Sequence, residues 1–445
     1  MSTYLDRCPK APLYGRYDTV IIGGGTAGSS AGISAAREGN RVLIVEKGLM
    51  LGGAATLALV TPMMESFVPH ERNFHLIEER LRDQGIATRS QEMAEYVWST
   101  PEAKADVLED LFLEEGGEIL YDATLVDCDV VDGNITSVVV LTSDGYRSIE
   151  AEQFVDASGD AWLSRLAGVL VDRGDDEGNN QMSSLRFEMG GIDIDAYRAY
   201  CLSLGDAFSP LVEGYFWESA MVAGKDFKLE PLFQQAVADG VLLPEDLVYY
   251  QCFSLPGRPG CLAFNCPHLS RLKNNADPEA RSHAIVDGHH MIRRLVTFLT
   301  QYMPGFEHAY LLREASALGV RESWRIRGLY QLAEEDYLAR ARFDDAVAKG
   351  DWYIDVHSAT KGLVHMDKFQ HGEYYEIPYR CLVNDQVANM MTIGRCISTT
   401  FLVQASIRIQ PTLIDMGDSA GRACARAHQQ GVALNAFAGT GLTTR

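Results

Sequence analysis

Two short, unbroken hydrophobic runs stand near the start of the chain. Tyr17 to Ile22 and Arg41 to Val45 are rich in valine and isoleucine, and a segment of small residues lies between them. Unbroken β-branched runs are typical of buried parallel strands, whereas small residues favour a closely packed helix. The pattern therefore predicts strand, helix and strand within about thirty residues, the length of one βαβ unit.

Apolar and polar residues alternate in three later runs, with an Asp-Gly pair at each of the two junctions. The runs are Thr124 to Val130, Ile135 to Thr142 and Tyr146 to Glu150. Asp-Gly between alternating runs is a hairpin signal, because both positions of the tight turn need positive φ. We predict a three-stranded antiparallel meander.

Two further elements complete the predicted frame. A separate apolar strand at Phe154-Val155 ends in the polar stretch 156–160, and near the C-terminus Met390 to Ile393 is a predicted strand. A small-residue helix is predicted around Leu413 to His428, and the region between, to about Glu373, has mixed composition.

Composition narrows the class of protein. A chain of 445 residues that is 47% hydrophobic and 22% charged favours two globular domains. The net charge of −22 argues against nucleic acid and anionic membrane surfaces as partners. Without an apolar leader or a long apolar run, and with nine dispersed cysteines, we expect reduced thiols and a cytoplasmic location. Cys261, Cys266 and His268 match no common zinc spacing, so no metal is expected.

The turn after the first strand carries the pattern G-x-G-x-x-G. Gly23 allows a tight turn, Gly25 lets a diphosphate approach the backbone, and Gly28 lets helix and strand pack closely. The helix N-terminus offers free N–H groups to the diphosphate. Glu46 closes the second strand, where a carboxylate can accept hydrogen bonds from ribose hydroxyls. The arrangement predicts a dinucleotide site.

The residues after Glu46 favour a flavin dinucleotide over a nicotinamide one. Lys47 follows directly, and Gly52-Gly53-Ala54 with Thr56 would let the chain pass close to the flavin end of an extended cofactor. We therefore expect FAD, bound non-covalently, since no residue stands out as a covalent anchor.

With these motifs the chain resembles the FAD-dependent oxidoreductases of the glutathione-reductase and fumarate-reductase-like structural group. The resemblance rests on blocks spread along most of the chain, at 23–28, 46–47, 52–56, 156–160, 319–328, 377–380, 394–398 and 408–417. It implies that Val126 lies by the adenine and that Ser158, Gly159 and Asp160 flank the FAD. It also implies that Gly394-Arg395 lies near the ribityl-diphosphate, and that the last helix aims its N-terminus, with Thr412 and Leu413, at the flavin pyrimidine. The residues expected to hold the cofactor are Gly23, Gly25, Thr26, Ala27, Gly28, Glu46, Lys47, Gly52, Gly53, Ala54, Thr56, Val126, Ser158, Gly159, Asp160, Gly394, Arg395, Thr412 and Leu413.

Two positions depart from the family pattern. Members often carry histidine where this chain has Phe401 and cysteine where it has Leu413. Both positions are expected to lie close to the flavin ring, so the departures imply a substrate or a chemistry of its own.

Candidates for catalysis are the cations of the middle and C-terminal regions, Arg325, His357, Arg380 and Arg408. An unpaired guanidinium among apolar residues is costly, so each arginine must meet a carboxylate, a carbonyl or a ligand. A structural ion pair is the alternative for the arginines, and a hydrogen-bonded structural histidine is the alternative for His357.

The sequence thus predicts an α/β protein with a glutathione-reductase-type Rossmann domain, in which a parallel sheet is joined to a β-meander, and an inserted α+β substrate domain. We expect the FAD domain at 15–60, 100–165 and 375–445, and the substrate domain at 61–99 and 166–374. The predicted activity is hydride transfer between a small organic substrate and flavin N5, as a dehydrogenase, oxidase or double-bond reductase. A flavin monooxygenase or other oxygen-activating enzyme is one alternative, and a flavoprotein with structural or non-redox FAD is another. The electron donor or acceptor and the oligomeric state, with a homo-oligomer as one possibility, stay open.

Overall fold

A computed structural model describes residues 11–83, 97, 99–205, 211–212, 215–216, 227–358, 362–366 and 369–443. The helices are α1 Thr26–Arg37, α2 Arg72–Asp83, α3 Pro101–Glu114, α4 Trp162–Leu166, α5 Ile194–Ser203, α6 Glu230–Ala238, α7 Pro278–Tyr302, α8 Glu334–Ala339, α9 Phe401–Ile407 and α10 Gln410–Gln430. The first strands are β1 Leu13–Ile22, β2 Val42–Val45, β3 Glu118–Leu120, β4 Thr124–Val131, β5 Asn134–Thr142, β6 Gly145–Asp156, β7 Val171–Arg173, β8 Ser183–Ser184, β9 Phe187–Gly190, β10 Leu211–Val212 and β11 Tyr215–Phe216. The others are β12 Cys252–Ser254, β13 Leu262–Phe264, β14 His268–Leu269, β15 Tyr310–Glu314, β16 Trp324–Ile326, β17 Ala346–Gly350, β18 Ile354–Ser358, β19 Gly362–Met366, β20 Tyr375–Pro378 and β21 Met390–Thr392.

A seven-stranded sheet forms the frame of the molecule. Strands β3, β2, β1 and β6 lie side by side and parallel, and β21 adds a further parallel strand beside β6. The helix α1 connects β1 to β2, so the predicted βαβ unit is confirmed. The carboxyl ends of β1, β2 and β6 meet at one edge, which is where ligands bind in sheets of this kind.

The meander is confirmed, but its last strand is longer than predicted. We predicted separate strands at 146–150 and 154–155, whereas β6 runs unbroken through Gly145–Asp156. Its first half pairs antiparallel with β5 and its last residues pair with β21, while the other edge pairs with β1 throughout. The strand changes partner without breaking, which the hydrophobic pattern alone does not reveal.

The helices α1 and α10 pack closely against each other on one face of the sheet. A Cβ at Gly417 would lie 2.3 Å from the carbonyl oxygen of Ala27, and one at Gly421 would lie 2.3 Å from that of Ala31. Glycine therefore sets the separation of the two helices. The predicted C-terminal helix is confirmed with wider bounds: Pro411 lies in its first turn and Gly431, at φ +63°, ends it.

Alternate residues of β1 face opposite sides of the sheet. Ile21 joins a core built with α1, α3 and α10, whereas Val20 and Ile22 join a second core under the meander. The first core also takes in α2 residues and later positions such as Leu332 and Val356.

A third core lies in the inserted region and is formed by residues between Leu185 and Phe306. It is bounded by the four-stranded sheet β12-β13-β9-β15 and by α5, α6 and α7. We call this region the cap. The predicted residue boundaries of the two domains stay a prediction. Within the described residues, no helix combines the length and the apolar character needed to cross a membrane.

Candidate active site

The glycine turn at the end of β1 has the geometry that its spacing predicts. Gly23 adopts φ +102°, where a side chain would be strained, and a Cβ there would lie 2.6 Å from the carbonyl oxygen of Ala157. A Cβ at Gly28 would lie 2.0 Å from the carbonyl oxygen of Gly23. These two glycines are required by the fold itself, because backbone fills the space that a side chain would take.

Gly25 differs from its two neighbours in the motif. It is the residue before the first turn of α1, and a Cβ there would meet nothing within 4 Å. Among the described residues no side chain caps this end of α1, which leaves the N–H groups of its first turn without intrahelical partners. Open space beside free helix N–H groups is what an incoming diphosphate requires.

The Glu46 carboxylate lies beside this turn and is buried. One oxygen accepts from the Gly24 N–H at 2.7 Å and the other from the Gly48 N–H at 2.6 Å. Each oxygen keeps a further lone pair, which can accept from a ribose hydroxyl. The backbone contacts hold the carboxylate in place for that role.

The segment after β2 folds back onto the glycine turn. The Gly52 N–H donates to the carbonyl of Gly24 at 2.8 Å, and a Cβ at Gly53 would lie 2.9 Å from the Cα of Gly25. Thr26 donates to the carbonyl of Gly52 at 3.3 Å, and Thr56 donates to that of Leu51 at 2.7 Å. The segment thus continues the cradle along the direction of an extended cofactor.

A third part of the cradle comes from the ends of β6 and β21. Arg395 lies against Gly159, at φ +78°, and forms an ion pair of 2.8 Å with Asp160, which also accepts from Ser323 at 2.6 Å. Burial acts to raise the pKa of Asp160, but Arg395 and the Ser323 hydroxyl outweigh it and hold the pKa below its usual value. The Nε–H of Arg395 is buried and has no partner among the described residues. A half-buried guanidinium with a buried, unused donor suits an anionic group nearby.

The start of α10 lies at the far end of this cradle. No side chain caps its N-terminus, and the Gln410 amide donates to the carbonyls of Val60 and Pro62 at 2.9 and 3.0 Å. The buried Lys104 of α3 donates to the Gln410 side-chain oxygen at 2.5 Å, and burial lowers its pKa to about 7. Thr412 and Leu413 lie in the first turns of α10 and Phe401 begins α9, and Leu413 and Phe401 are half-buried.

The remaining expected cofactor residues take varied positions around the same edge. Lys47 is exposed and close enough to Asp160 to lower its pKa further, and Ala54 is exposed beside the cradle. Val126 is half-buried on β4, and Ser158 donates to Asp156 at 2.6 Å. Ala27 is buried against α10, and Gly394 takes φ +89°. The open space at Gly25, the uncapped helix ends and the unused Arg395 donor together fit an extended diphosphate-containing dinucleotide.

Beyond this end, the cap and the FAD-domain elements enclose a buried polar group that we call the arginine–histidine cluster. Its members are Arg186, Tyr249, His268, Arg321, Asp355, His357 and Arg408.

Arg186 and Arg408 tie the cluster to the two segments just described. Arg186 donates to the carbonyl of Leu59 at 3.2 Å, and Leu59 holds φ +55°, an uncommon value for a residue with a side chain. Arg408 lies between α9 and α10 and donates to the Asp355 carbonyl at 3.0 Å and to its carboxylate at 3.3 Å. The cluster therefore lies where the segment after β2 and the start of α10 come together.

A chain of hydrogen bonds runs through the cluster. An Arg321 N–H donates to Nε2 of His268 at 3.0 Å, so a neutral His268 carries its hydrogen on Nδ1. Nδ1 of His357 lies 3.0 Å from the same Nε2, and Nε2 of His357 lies 3.2 Å from the Asp355 carboxylate. A neutral His357 carries one N–H hydrogen, so it can donate either to Nε2 of His268 or to the Asp355 carboxylate. A second proton on His357 would let it donate to both.

Burial governs the charge of these groups. Burial, and then the Arg321 charge, lower the pKa of His357 to about 4 and that of His268 well below its usual value. Burial also lowers the pKa of Arg186 and of Arg321. Tyr249 stacks on His268 with ring centroids 4.2 Å apart, and burial raises the pKa of its hydroxyl.

The four residues proposed for catalysis are not all brought together. His357 and Arg408 meet in the cluster through Asp355. Arg325 instead donates to Glu322 and to the carbonyls of Gly174 and Thr399, and Arg380, with 47% of its side chain exposed, pairs with Asp345 at 2.9 Å. The ion-pair alternative describes the contacts of these last two arginines.

Several members of the cluster could not be predicted from the sequence. Arg186, Tyr249 and His268 come from separate parts of the cap, and no spacing links them. In the sequence, His268 is distinguished only by its nearness to two cysteines. The pairing of β8 with β14 places His268 opposite Ser184 and so brings it to Arg321. Such a site is found only once the tertiary contacts are known.

Comparison with known proteins agrees with this geometry. The sequence profile of the FAD dependent oxidoreductase family matches residues 18–443. Digeranylgeranylglycerophospholipid reductase 2 of Methanothermobacter thermautotrophicus is 28% identical over 213 residues, which are 45% of this chain and 53% of that protein. The match thus spans about half the length of that relative.

Two solved structures align over most of the chain at low identity, and the first of them shares its fold. The p-nitrophenol 4-monooxygenase of Pseudomonas putida aligns over 94% of this chain and 82% of its own, with a TM-score of 0.51 and 10% identity. A geranylgeranyl bacteriochlorophyll reductase-like protein of Thermoplasma acidophilum aligns over 94% and 80%, with a TM-score of 0.47 and 10% identity. Since the family profile covers almost the whole chain and the cradle fits its cofactor, this protein belongs to the FAD-dependent oxidoreductase family and uses FAD.

Proposed function

We propose that this enzyme transfers a hydride between a small organic substrate and FAD, with the substrate lying against the arginine–histidine cluster. FAD, when bound, supplies the hydride chemistry at its N5 atom. The chain itself must orient the substrate, exclude water and move a proton. The observation that carries the proposal is the buried hydrogen-bonded chain from Asp355 through His357 to His268, at the end of the cradle.

The chain of histidines suits proton transfer to or from a substrate. Nδ1–H of His268 has no partner among the described residues, although the ring is buried. If that proton goes to a substrate atom, Nε2 of His268 takes a proton in exchange from Nδ1 of a doubly protonated His357, whose Nε2–H stays on the Asp355 carboxylate. His357 is left neutral and regains one proton from solvent. In the opposite direction the same atoms receive a proton. The net movement of one proton complements the movement of one hydride.

The cradle residues have the supporting role of holding FAD. Gly25 and the start of α1 would receive the diphosphate, Glu46 the adenosine ribose, and Arg395 the ribityl-diphosphate side. The start of α10, with Lys104 behind Gln410, would face the pyrimidine, where N–H groups stabilise negative charge. The name of the archaeal relative, a reductase, also supports hydride transfer.

The experiment uses purified protein with FAD, first reduced by light in the absence of oxygen. A panel of alkenes and carbonyl compounds is added anaerobically, and flavin absorbance is followed. Reoxidation by an organic compound, with the reduced product identified, supports hydride transfer. If reoxidation requires oxygen and labelled oxygen enters the product, the enzyme is a monooxygenase. If FAD can be reduced by none of dithionite, light or nicotinamide cofactors, its role is structural and the proposal is wrong.

The proton pathway is tested by variants of the histidines. His268→Asn and His357→Gln are expected to lower the rate of the chemical step by about 10²-fold or more, since general acid–base groups contribute about 10²–10⁴. FAD content should stay at the wild-type value in both. An unchanged single-turnover rate in both variants would show that the proton comes from elsewhere.

A further inference from the structure

The arginine–histidine cluster holds more positive charge than it neutralises. Arg186, Arg321 and Arg408 contribute three guanidinium groups, and within the described residues the carboxylate beside them is Asp355, which contacts Arg408 and lies near Arg321. Arg186 is 5% exposed, and the acceptor of its side chain among the described residues is the uncharged carbonyl of Leu59. A buried cation without a counter-charge is costly, so the protein maintains this arrangement against its own stability.

Three buried donors of the same cluster have no acceptor among the described residues. They are Nε–H of Arg186, Nε–H of Arg408 and Nδ1–H of His268. Each unsatisfied donor destabilises the folded protein, because it has left water without gaining an acceptor. The cluster therefore lacks both a negative charge and hydrogen-bond acceptors, and one ligand can supply both.

We propose that the substrate is an organic carboxylate, whose carboxyl group binds to Arg186 and Arg408 beside His268. This inference rests on the proposed function, because it names the substrate class for the same site. A carboxylate presents two coplanar oxygens with four lone pairs, which match guanidinium donors. With Arg186 joined to the segment after β2 and Arg408 joined to the start of α10, a bound carboxylate would also hold the cap against the FAD domain.

The proposal explains why the cluster is built from arginine. The guanidinium stays charged even where burial and the neighbouring arginines lower its pKa, as they do for Arg321. Lysine in such a site would lose its proton, as burial lowers the pKa of Lys104 to about 7. A permanent charge is needed where the ligand is an anion that must leave water.

The test measures binding without turnover, so it can succeed or fail independently of the hydride-transfer experiment. Thermal unfolding of the FAD-loaded protein is followed in sodium acetate, succinate or benzoate, with sodium chloride and inorganic phosphate at equal ionic strength as references. We expect at least one carboxylate to raise Tm by about 3–5 °C over chloride. If the Tm in every carboxylate salt equals the Tm in sodium chloride, the proposal is overturned. It is also overturned if only phosphate raises the Tm.

Arg186→Met separates a binding role from a structural one. Without ligand, this variant should have a Tm equal to or higher than that of the wild type, because an uncompensated charge is removed. Its affinity for the carboxylate should fall by about tenfold or more, so the carboxylate should no longer raise its Tm. Arg271→Met, on the exposed cap surface, is the matched control and should keep the full shift. An Arg186→Met variant that is less stable yet keeps the shift would show a structural arginine and refute the assignment.

Discussion

The two glycines that begin and end the first helical turn meet different demands, although the sequence motif contains them alike. Gly28 has backbone within 2.0 Å of its missing Cβ, whereas Gly25 has nothing within 4 Å and takes φ −67°, which any residue can adopt. Gly28 is therefore needed for folding, whereas Gly25 leaves room for the diphosphate. The distinction can be measured.

We predict that Gly25→Val leaves the apoprotein about as stable as the wild type, within about 0.5 kcal/mol, but lowers FAD affinity at least about tenfold. Gly28→Val, the matched control, should fail to fold or lose several kcal/mol, because its side chain meets the Gly23 carbonyl. Urea unfolding of the apoproteins and flavin absorbance after reconstitution give the two quantities. Full FAD content in Gly25→Val would contradict the assignment of the diphosphate site.

His357 makes the stability of the protein depend on pH. Its pKa is about 4 in the folded protein, against about 6.5 when unfolded, because the imidazole is buried and Arg321 is near. The unfolded chain therefore takes up a proton first as the pH falls. We predict that the free energy of unfolding is level above about pH 7 and declines between about pH 6.5 and 4, by up to about 1.4 kcal/mol per pH unit for this group.

The measurement is urea unfolding across that range for the wild type, His357→Gln and His75→Gln. The exposed His75 is the matched control, and its loss should leave the slope unchanged. His357→Gln should show a shallower decline. Equal slopes in all three proteins would mean that His357 keeps an ordinary pKa in the folded state.

At the scale of elements, the small residues of α1 and α10 predicted close packing but not which helix packs on which. Both segments are rich in glycine and alanine, yet they stand almost four hundred residues apart in the chain. The partner is set by the sheet, which places α1 and α10 on the same face. Ser34, on α1, then donates to Asp418, on α10, at 2.7 Å and fixes their register.

Gly421→Val should destabilise the protein by about 1–3 kcal/mol or more, because its side chain would push α10 off the Ala31 carbonyl. Gln430→Val, at the exposed end of the same helix, introduces valine without the clash and should change stability by under about 1 kcal/mol. Since glycine is a poorer helix former than valine, helix propensity alone would not destabilise Gly421→Val. Thermal unfolding measures the stability of both variants against the wild type. A loss in Gly421→Val no larger than that in Gln430→Val would show that the close contact of α10 with the Ala31 carbonyl does not limit the packing of the two helices.

Some elements could be predicted from local sequence patterns, and others could not. The βαβ unit, the meander and the C-terminal helix follow from local periodicity and turn residues, so their positions were predictable. The unbroken β6 was not, because its continuity depends on β1 pairing along one whole edge. The cradle could likewise be predicted from glycine spacing, whereas the arginine–histidine cluster depends on cap strands of two or three residues that carry no periodic signal.

Over the whole molecule, the FAD-binding frame and the cap have separate cores, joined in part by a network of four charges. Glu102 begins α3, which packs into the core of the large sheet, while Glu188 lies on β9 in the cap. Arg313 bridges both carboxylates, and Arg258 reaches Glu102 at 2.8 Å and Glu188 at 3.5 Å. Glu188 is fully buried, whereas 39% of the Glu102 side chain is exposed.

The difference in burial predicts unequal effects for the same substitution. Glu188→Gln should cost about 3–5 kcal/mol, because it leaves two arginines facing a buried neutral amide. Glu102→Gln should cost about 1 kcal/mol or less, since water screens this pair and Glu188 still holds both arginines. Urea unfolding at low and high salt measures both, and salt should weaken only the contribution of Glu102. If the two variants lose equal stability, the exposed Glu102, which joins α3 to the two cap arginines, contributes as much as the buried Glu188, which pairs with them inside the cap, and burial does not decide the effect.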